Sequence, residues 1–313
     1  MSQRHYRRIN WLRMAAFFFT FLCSLNAYCR PDMSPLGPNI ADKGSSFYHF
    51  SSRTFASADG QRHYKVWTGV PDKAPPPSGY PVLYLLDGNA VMDRLSDALL
   101  KQLAAQNPPV VVAIGYQTDK PFDLAARSYD YTPPVMGNSE GDGLDRRGWK
   151  GGGSAVFQQL LEKNIAPLAE KGLRIDASQR GIWGHSLGGI FALNAYLSSS
   201  FFTSYYATSP TLNRKYVGLL TQLAAINKPD FCAKRLFFIE GDGAPGKNPQ
   251  APAPDIQNKV RATLALLHTE GVPVAYWSHP ELSHGQTFNA GFQQALLHIA
   301  APDSAKALAS CQR

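Results

Sequence analysis

Cysteine is scarce in this chain of 313 residues: there are four, and no set of Cys and His stands at zinc-ligand spacing. That excludes a zinc finger or ribbon and leaves no metal site legible in the sequence. Long apolar runs are missing too, because the stretch Met14 to Leu25 covers about a dozen residues where a spanning helix needs ~20. Charged residues make up only 17% of the chain and form no dense basic helix, so nucleic acid is not an expected partner. No repeat of fixed period is present, which excludes a solenoid or propeller.

Acidic residues are absent from the first 29 positions, where Arg4, Arg7, Arg8 and Arg13 precede the apolar run and Ala27-Tyr28-Cys29 closes it. This is the pattern of a secretory signal peptide. Residues 1–29 are therefore expected to be a signal and 30–313 a single exported domain; left uncleaved, the segment would hold the protein at the inner membrane. Four of the eight net positive charges go with the signal, leaving a mature chain of +4 that favours anionic ligands weakly. Cys23 and Cys29 go with it as well, and in an oxidising compartment the remaining Cys232 and Cys311 are expected to pair.

What the chain does contain is an alternation of strand and helix patterns, with 44% hydrophobic residues to build a core. Phe47 to Phe55 and His63 to Val70 alternate apolar with polar residues, as half-buried antiparallel edge strands do. Tyr80 to Leu86 and Val110 to Gly115 are continuous apolar runs, the mark of strands buried on both faces. Between them, leucine and alanine spacing predicts a helix over Met92 to Gln106, stopped by Pro108. Tyr116 to Gly153 reads as a long loop insertion. Helices are predicted over Ser154 to Glu170, Asp255 to Glu270 and Thr287 to Ala300, and strands over Gln179 to Trp183, Ser204 to Ser209, Arg235 to Ile239 and Val274 to Ser278. The fold class is α/β: a mostly parallel twisted sheet, antiparallel at its start, with helices on both faces. Gly241-Asp242-Gly243-Ala244-Pro245-Gly246 spells a dinucleotide fingerprint, but a proline-rich stretch follows where a helix is required, so no nucleotide cofactor is expected.

The chemistry centres on Gly184-His185-Ser186-Leu187-Gly188, with a β-prone run before it and a helix-compatible run after it. G-x-S-x-G in that setting is the nucleophile elbow of the α/β-hydrolase fold, a tight turn that exposes the serine hydroxyl above the sheet. Serine needs a base, and His284, after the last strand and before the last helix, holds the position such folds use. His185, His268, His279 and His298 read better as packed or surface residues. A carboxylate that orients the base would follow the Arg235 strand, where both Glu240 and Asp242 stand, and spacing does not choose between them or against both. The oxyanion donors are expected to be the backbone N–H of Leu187 together with that of Gly88 or Asn89.

These residues, with Tyr80 to Leu95, Gly115-Tyr116-Gln117-Thr118, Tyr129 to Pro133, His284-Gly285 and Phe288-Asn289, make the chain similar to the periplasmic trilactone esterases of catecholate siderophores. The resemblance runs nearly end to end and departs at Leu187, where relatives carry an aromatic residue. It implies a cofactor-free serine esterase acting in the periplasm on an enterobactin or salmochelin type of trilactone, apo or ferric. It also implies that Ser186 and His284 work as a dyad without an acid. Such a substrate is flat and anionic, which nominates Arg127 and Tyr129 as binding residues, with Arg146, Arg147, Lys150 and Trp149 elsewhere in the same loop. A general exported carboxylesterase or acyltransferase, and a non-catalytic siderophore-binding protein, are the competing functions.

Overall fold

The structure, a computed structural model, describes residues 31–134, 148–241 and 253–302. Pro31 and Asp32 fall outside the unit Met33–Arg313, and everything below concerns that unit. The expected signal peptide, Asp242, Arg146, Arg147 and Cys311 lie outside the described residues.

Eight strands form one sheet: β1 (Tyr48–Ala56), β2 (His63–Pro71), β3 (Tyr80–Leu86), β4 (Val110–Tyr116), β5 (Ile175–His185), β6 (Ser204–Thr208), β7 (Arg235–Glu240) and β8 (Val274–Ser278). Their order is β1-β2-β4-β3-β5-β6-β7-β8. β2 is antiparallel to both its neighbours, and every other pairing is parallel. The two uninterrupted apolar runs occupy the interior, since every residue of β3 and β4 is buried. β1 alternates and is mostly exposed, as suits an edge.

Alternation of side chains splits the core into two layers. Tyr84, Leu86, Ile182 and Tyr205 face Phe157, Leu161 and Phe191. Leu83, Leu85, Trp183 and Tyr206 face the other way, against Met92, Leu100, Phe292 and Leu296.

Three stretches differ from the sequence expectation. The helix predicted over Met92 to Gln106 is two helices, α1 (Gly88–Arg94) and α2 (Asp97–Ala104), because Ser96 turns extended and caps α2 with its hydroxyl on the Leu99 N–H. The loop over 116–153 contains α3 (Leu124–Tyr131), capped by the Asp123 carboxylate on the Ala126 N–H. The helix beginning at Ser154 passes through a π-turn over Leu161–Ile165. Just beyond that turn, Pro167 lacks the N–H an α-helical bond to Lys163 would need.

Later in the chain come α4 (Leu187–Ser198), α5 (Gly218–Ala224), α6 (Pro254–Thr269) and α7 (Thr287–Ala300), beside the short helical turns Ile40–Lys43 and Lys228–Phe231. Cys232 is disulfide-bonded.

Candidate active site

Ser186 sits where β5 ends and α4 begins, with φ 60° and ψ −113°. That backbone is costly for any residue with a side chain and persists only because its surroundings fix it. Its N–H donates to the Thr208 carbonyl (3.0 Å), and its own carbonyl accepts from Ile190 (3.1 Å) and Thr211 (3.2 Å). Close approach of the strand to the helix explains Gly184: a Cβ there would lie 2.1 Å from the Gly188 carbonyl oxygen. The hydroxyl of Ser186 bonds the hydroxyl of Thr211 at 2.8 Å.

The turn after β3, the strand paired with β5, lies beside the elbow: a Cβ at Gly188 would stand 3.8 Å from Asp87 Oδ2. Asp87 adopts the left-handed region, φ 55° and ψ 45°, and starts α1. Gly88 and Asn89 therefore carry first-turn N–H groups with no intrahelical acceptor, as Leu187 does at the start of α4. All three expected oxyanion donors thus stand at helix starts. The side chain of Asn89 is fully engaged elsewhere: its amide donates to the Tyr116 and Thr118 carbonyls and accepts from the Tyr116 N–H. Its backbone N–H is what remains for a substrate oxygen.

The Asp87 turn is held from α3. Arg127 donates Nε to Oδ1 (2.8 Å) and Nη2 to Oδ2 (2.7 Å), and the Tyr131 hydroxyl accepts the Asp87 N–H (3.2 Å). Both partners of the ion pair are buried. Arg127, nominated from sequence as a substrate contact, therefore spends two donor groups on the protein. The ring of Tyr129, the other nominated substrate contact, lies under Arg62 (4.3 Å) and Lys150 (5.8 Å).

His284 is buried, and its ring stands 4.8 Å from that of His185. Burial, and then the charge of Arg127, lowers its pKa to about 4, so the imidazole is neutral at any ordinary pH. Its Nδ1 is buried with no hydrogen-bond partner among the described residues. Its backbone is firmly fixed instead. The His284 carbonyl accepts from His185 Nε2 (2.7 Å) and from the Thr287 hydroxyl (2.7 Å). A carbonyl only accepts, so His185 carries its proton on Nε2. Thr287 has given its one proton, so Ser209 must donate in the 2.9 Å contact between those hydroxyls. Burial first, and then His284, pushes the His185 pKa well down.

Glu240 ends β7, buried, with its carbonyl accepting the His279 N–H. His279 bonds Gln294 and His298 bonds the Tyr206 hydroxyl, so both are satisfied packing residues. Among the described residues no group of three or more His, Cys, Asp or Glu could hold a metal ion.

Two neighbours of this site have no signature in the sequence. Thr211 is one. The other is Arg94, whose guanidinium lies 5.3 Å over the Phe288 ring while Nη1 donates to the Ala90 carbonyl. Phe288 in turn meets Phe122 edge to face (6.0 Å) and His185 (5.4 Å). Rings and cations thus run in contact from the histidines out to Arg94, whose side chain is 36% exposed.

Comparison with known proteins gives a consistent picture. The model of the family described as "Putative esterase" matches residues 57–284. The apo-salmochelin esterase of Escherichia coli O6:H1 is 51% identical over 315 residues, covering 99% of this chain and 98% of that protein. The ferri-bacillibactin esterase BesA of Bacillus subtilis is 36% identical over 51% of this chain and 58% of its own length. Among solved structures, the enterobactin hydrolase IroE in complex with DFP superposes with a TM-score of 0.75 at 53% identity, covering 84% of this chain and 99% of that one.

Proposed function

The chain belongs to the "Putative esterase" family and is a serine hydrolase of carboxylic esters, and from that premise we propose that it linearises a catecholate siderophore trilactone of the enterobactin or salmochelin type in the periplasm. What supports the reading is the strained Ser186 elbow at the start of α4, with the buried His284 packed against His185, the residue before the serine. Ser186 Oγ attacks the ester carbonyl carbon while His284 takes its proton. The carbonyl electron pair moves onto oxygen, held by the N–H of Leu187 and that of Gly88 or Asn89. Collapse expels the alkoxide, which recovers the proton from His284 and leaves an acyl-Ser186 ester. Water then repeats the sequence with His284 as base and frees the linear acid.

A base whose pKa is held near 4 gains a proton reluctantly in the empty site. An anionic substrate or a forming oxyanion favours the imidazolium and restores its basicity where it is needed. Arg94 and the Phe122–Phe288 pair suit a flat anion better than a neutral ester, and Arg94 keeps donors beyond its bond to the Ala90 carbonyl and its ion pair with Asp93. Export is supported by the arginines and apolar run of residues 1–29.

The test is to incubate the enzyme with apo and ferric enterobactin and salmochelin and weigh the products. Gain of one water per bond cut is expected. Intact trilactones alongside rapid turnover of a simple aryl ester would make it a general carboxylesterase instead.

A further inference from the structure

The hydroxyl of Thr211 touches the reacting atom of Ser186, and no catalytic duty has been given to it. The two residues are joined twice, by the 2.8 Å contact between hydroxyls and by the Thr211 N–H on the Ser186 carbonyl. Thr211 is also fixed from behind. Ser209, at φ 38°, donates its N–H to the Ile239 carbonyl (2.7 Å), and Pro210 stiffens the step between them. The threonine is thus aimed at the nucleophile by the ends of β6 and β7.

Each hydroxyl has one proton to give. When Ser186 directs its proton to His284 for attack, the contact survives only with Thr211 as the donor and Ser186 Oγ as the acceptor. A hydrogen bond donated to a neutral hydroxyl oxygen is modest, and it strengthens as that oxygen loses its proton and gains negative charge. It is therefore worth more in the transition state than in the resting enzyme, which is the requirement for accelerating a step. The same donor meets Oγ again when the acyl-enzyme breaks down and Oγ departs with the electron pair of the acyl bond.

We propose that Thr211 is a catalytic residue, a hydroxyl donor that stabilises the developing Ser186 alkoxide in both half-reactions. The proposal rests on Ser186 being the nucleophile. It would also serve a site in which His284 Nδ1 has no hydrogen-bond partner among the described residues.

Thr211→Val keeps the side-chain shape and the backbone bond and removes only the hydroxyl. For the trilactone, kcat is expected to fall roughly 10- to 100-fold, the scale of a hydrogen bond to a charged group, with KM little changed. The second-order rate at which a fluorophosphonate labels Ser186 should fall in parallel, since that reagent reports nucleophile activation alone. Thr211→Ser should recover most of the loss and Thr211→Ala should not. An undiminished labelling rate in the valine variant, or equal rates for the serine and alanine variants, would overturn the proposal; the second comparison holds even if valine folds poorly. Ser186→Ala is run beside them: activity surviving there would overturn the nucleophile assignment, a result distinct from either.

Discussion

For Ser186 and His284 the place in the fold was readable from spacing: the serine falls at the turn from β5 to α4 and the histidine between β8 and α7. G-x-S-x-G fixes a turn that only small neighbours permit, and the clash awaiting any Cβ at Gly184 is the reason. Partnerships across space leave no such trace: Arg127 and Asp87 stand 40 positions apart, and nothing in either neighbourhood says that they meet. Ser186→Ala and His284→Ala should each reduce turnover to near background, a loss on the order of 10⁶. Glu240→Gln should cost less than about tenfold, because His284 Nδ1 has no hydrogen-bond partner among the described residues, Glu240 included. A loss of a thousandfold in a folded Glu240 variant would make that residue the acid of a triad. The acid limb of kcat/KM should fall well below the ordinary histidine value near 6.5, toward the His284 pKa of about 4. A limb at 6.5 in the free enzyme would contradict the burial that sets it.

Elements were legible where one face or both are uniformly apolar, as in β3 and β4, and illegible where a single polar residue decides. Ser96 breaks one predicted helix into two, and Asp123 starts a helix inside what reads as loop. That second helix matters most to the site, since α3 holds the Asp87 turn through Arg127 and Tyr131. Arg127→Met should strand a buried carboxylate and destabilise the fold by about 3–5 kcal/mol. Activity on anionic trilactone and neutral aryl ester should then fall together, because the damage is to the oxyanion turn they share. Arg94→Ala, on the exposed side of α1, should instead weaken turnover of the anionic substrate selectively, through KM, at unchanged melting temperature. Parallel kinetics on the two substrates with both variants check this; a selective defect in the Arg127 variant would return that residue to the substrate.

For the whole molecule, the alternation of patterns announces a parallel sheet covered on both sides, while the pairing order and the single reversed strand, β2, emerge only in three dimensions. The titration of buried groups is a property of this scale as well. His284 and His298 have pKa values lowered to about 4, chiefly by burial, so the unfolded chain binds their protons first as pH falls below 6.5. Each then removes about 1.4 kcal/mol of stability per pH unit between roughly 6.5 and 4. Asp130, raised to about 7 by burial, works the other way: its contribution is present below the unfolded carboxylate value and is lost as pH rises through 7. The melting temperature should therefore fall on acidification through this window, less steeply in His298→Gln and more steeply in Asp130→Asn. A flat profile across the three proteins would refute the linkage. Order along the chain has its own consequence. His185 reaches the His284 carbonyl across 99 positions, and Ser209 reaches Thr287 across 78. The chain is thus made with its serine well ahead of its base, and on the proposed roles Ser186 gains its reactivity only when the segment carrying His284 has been locked onto the end of the sheet.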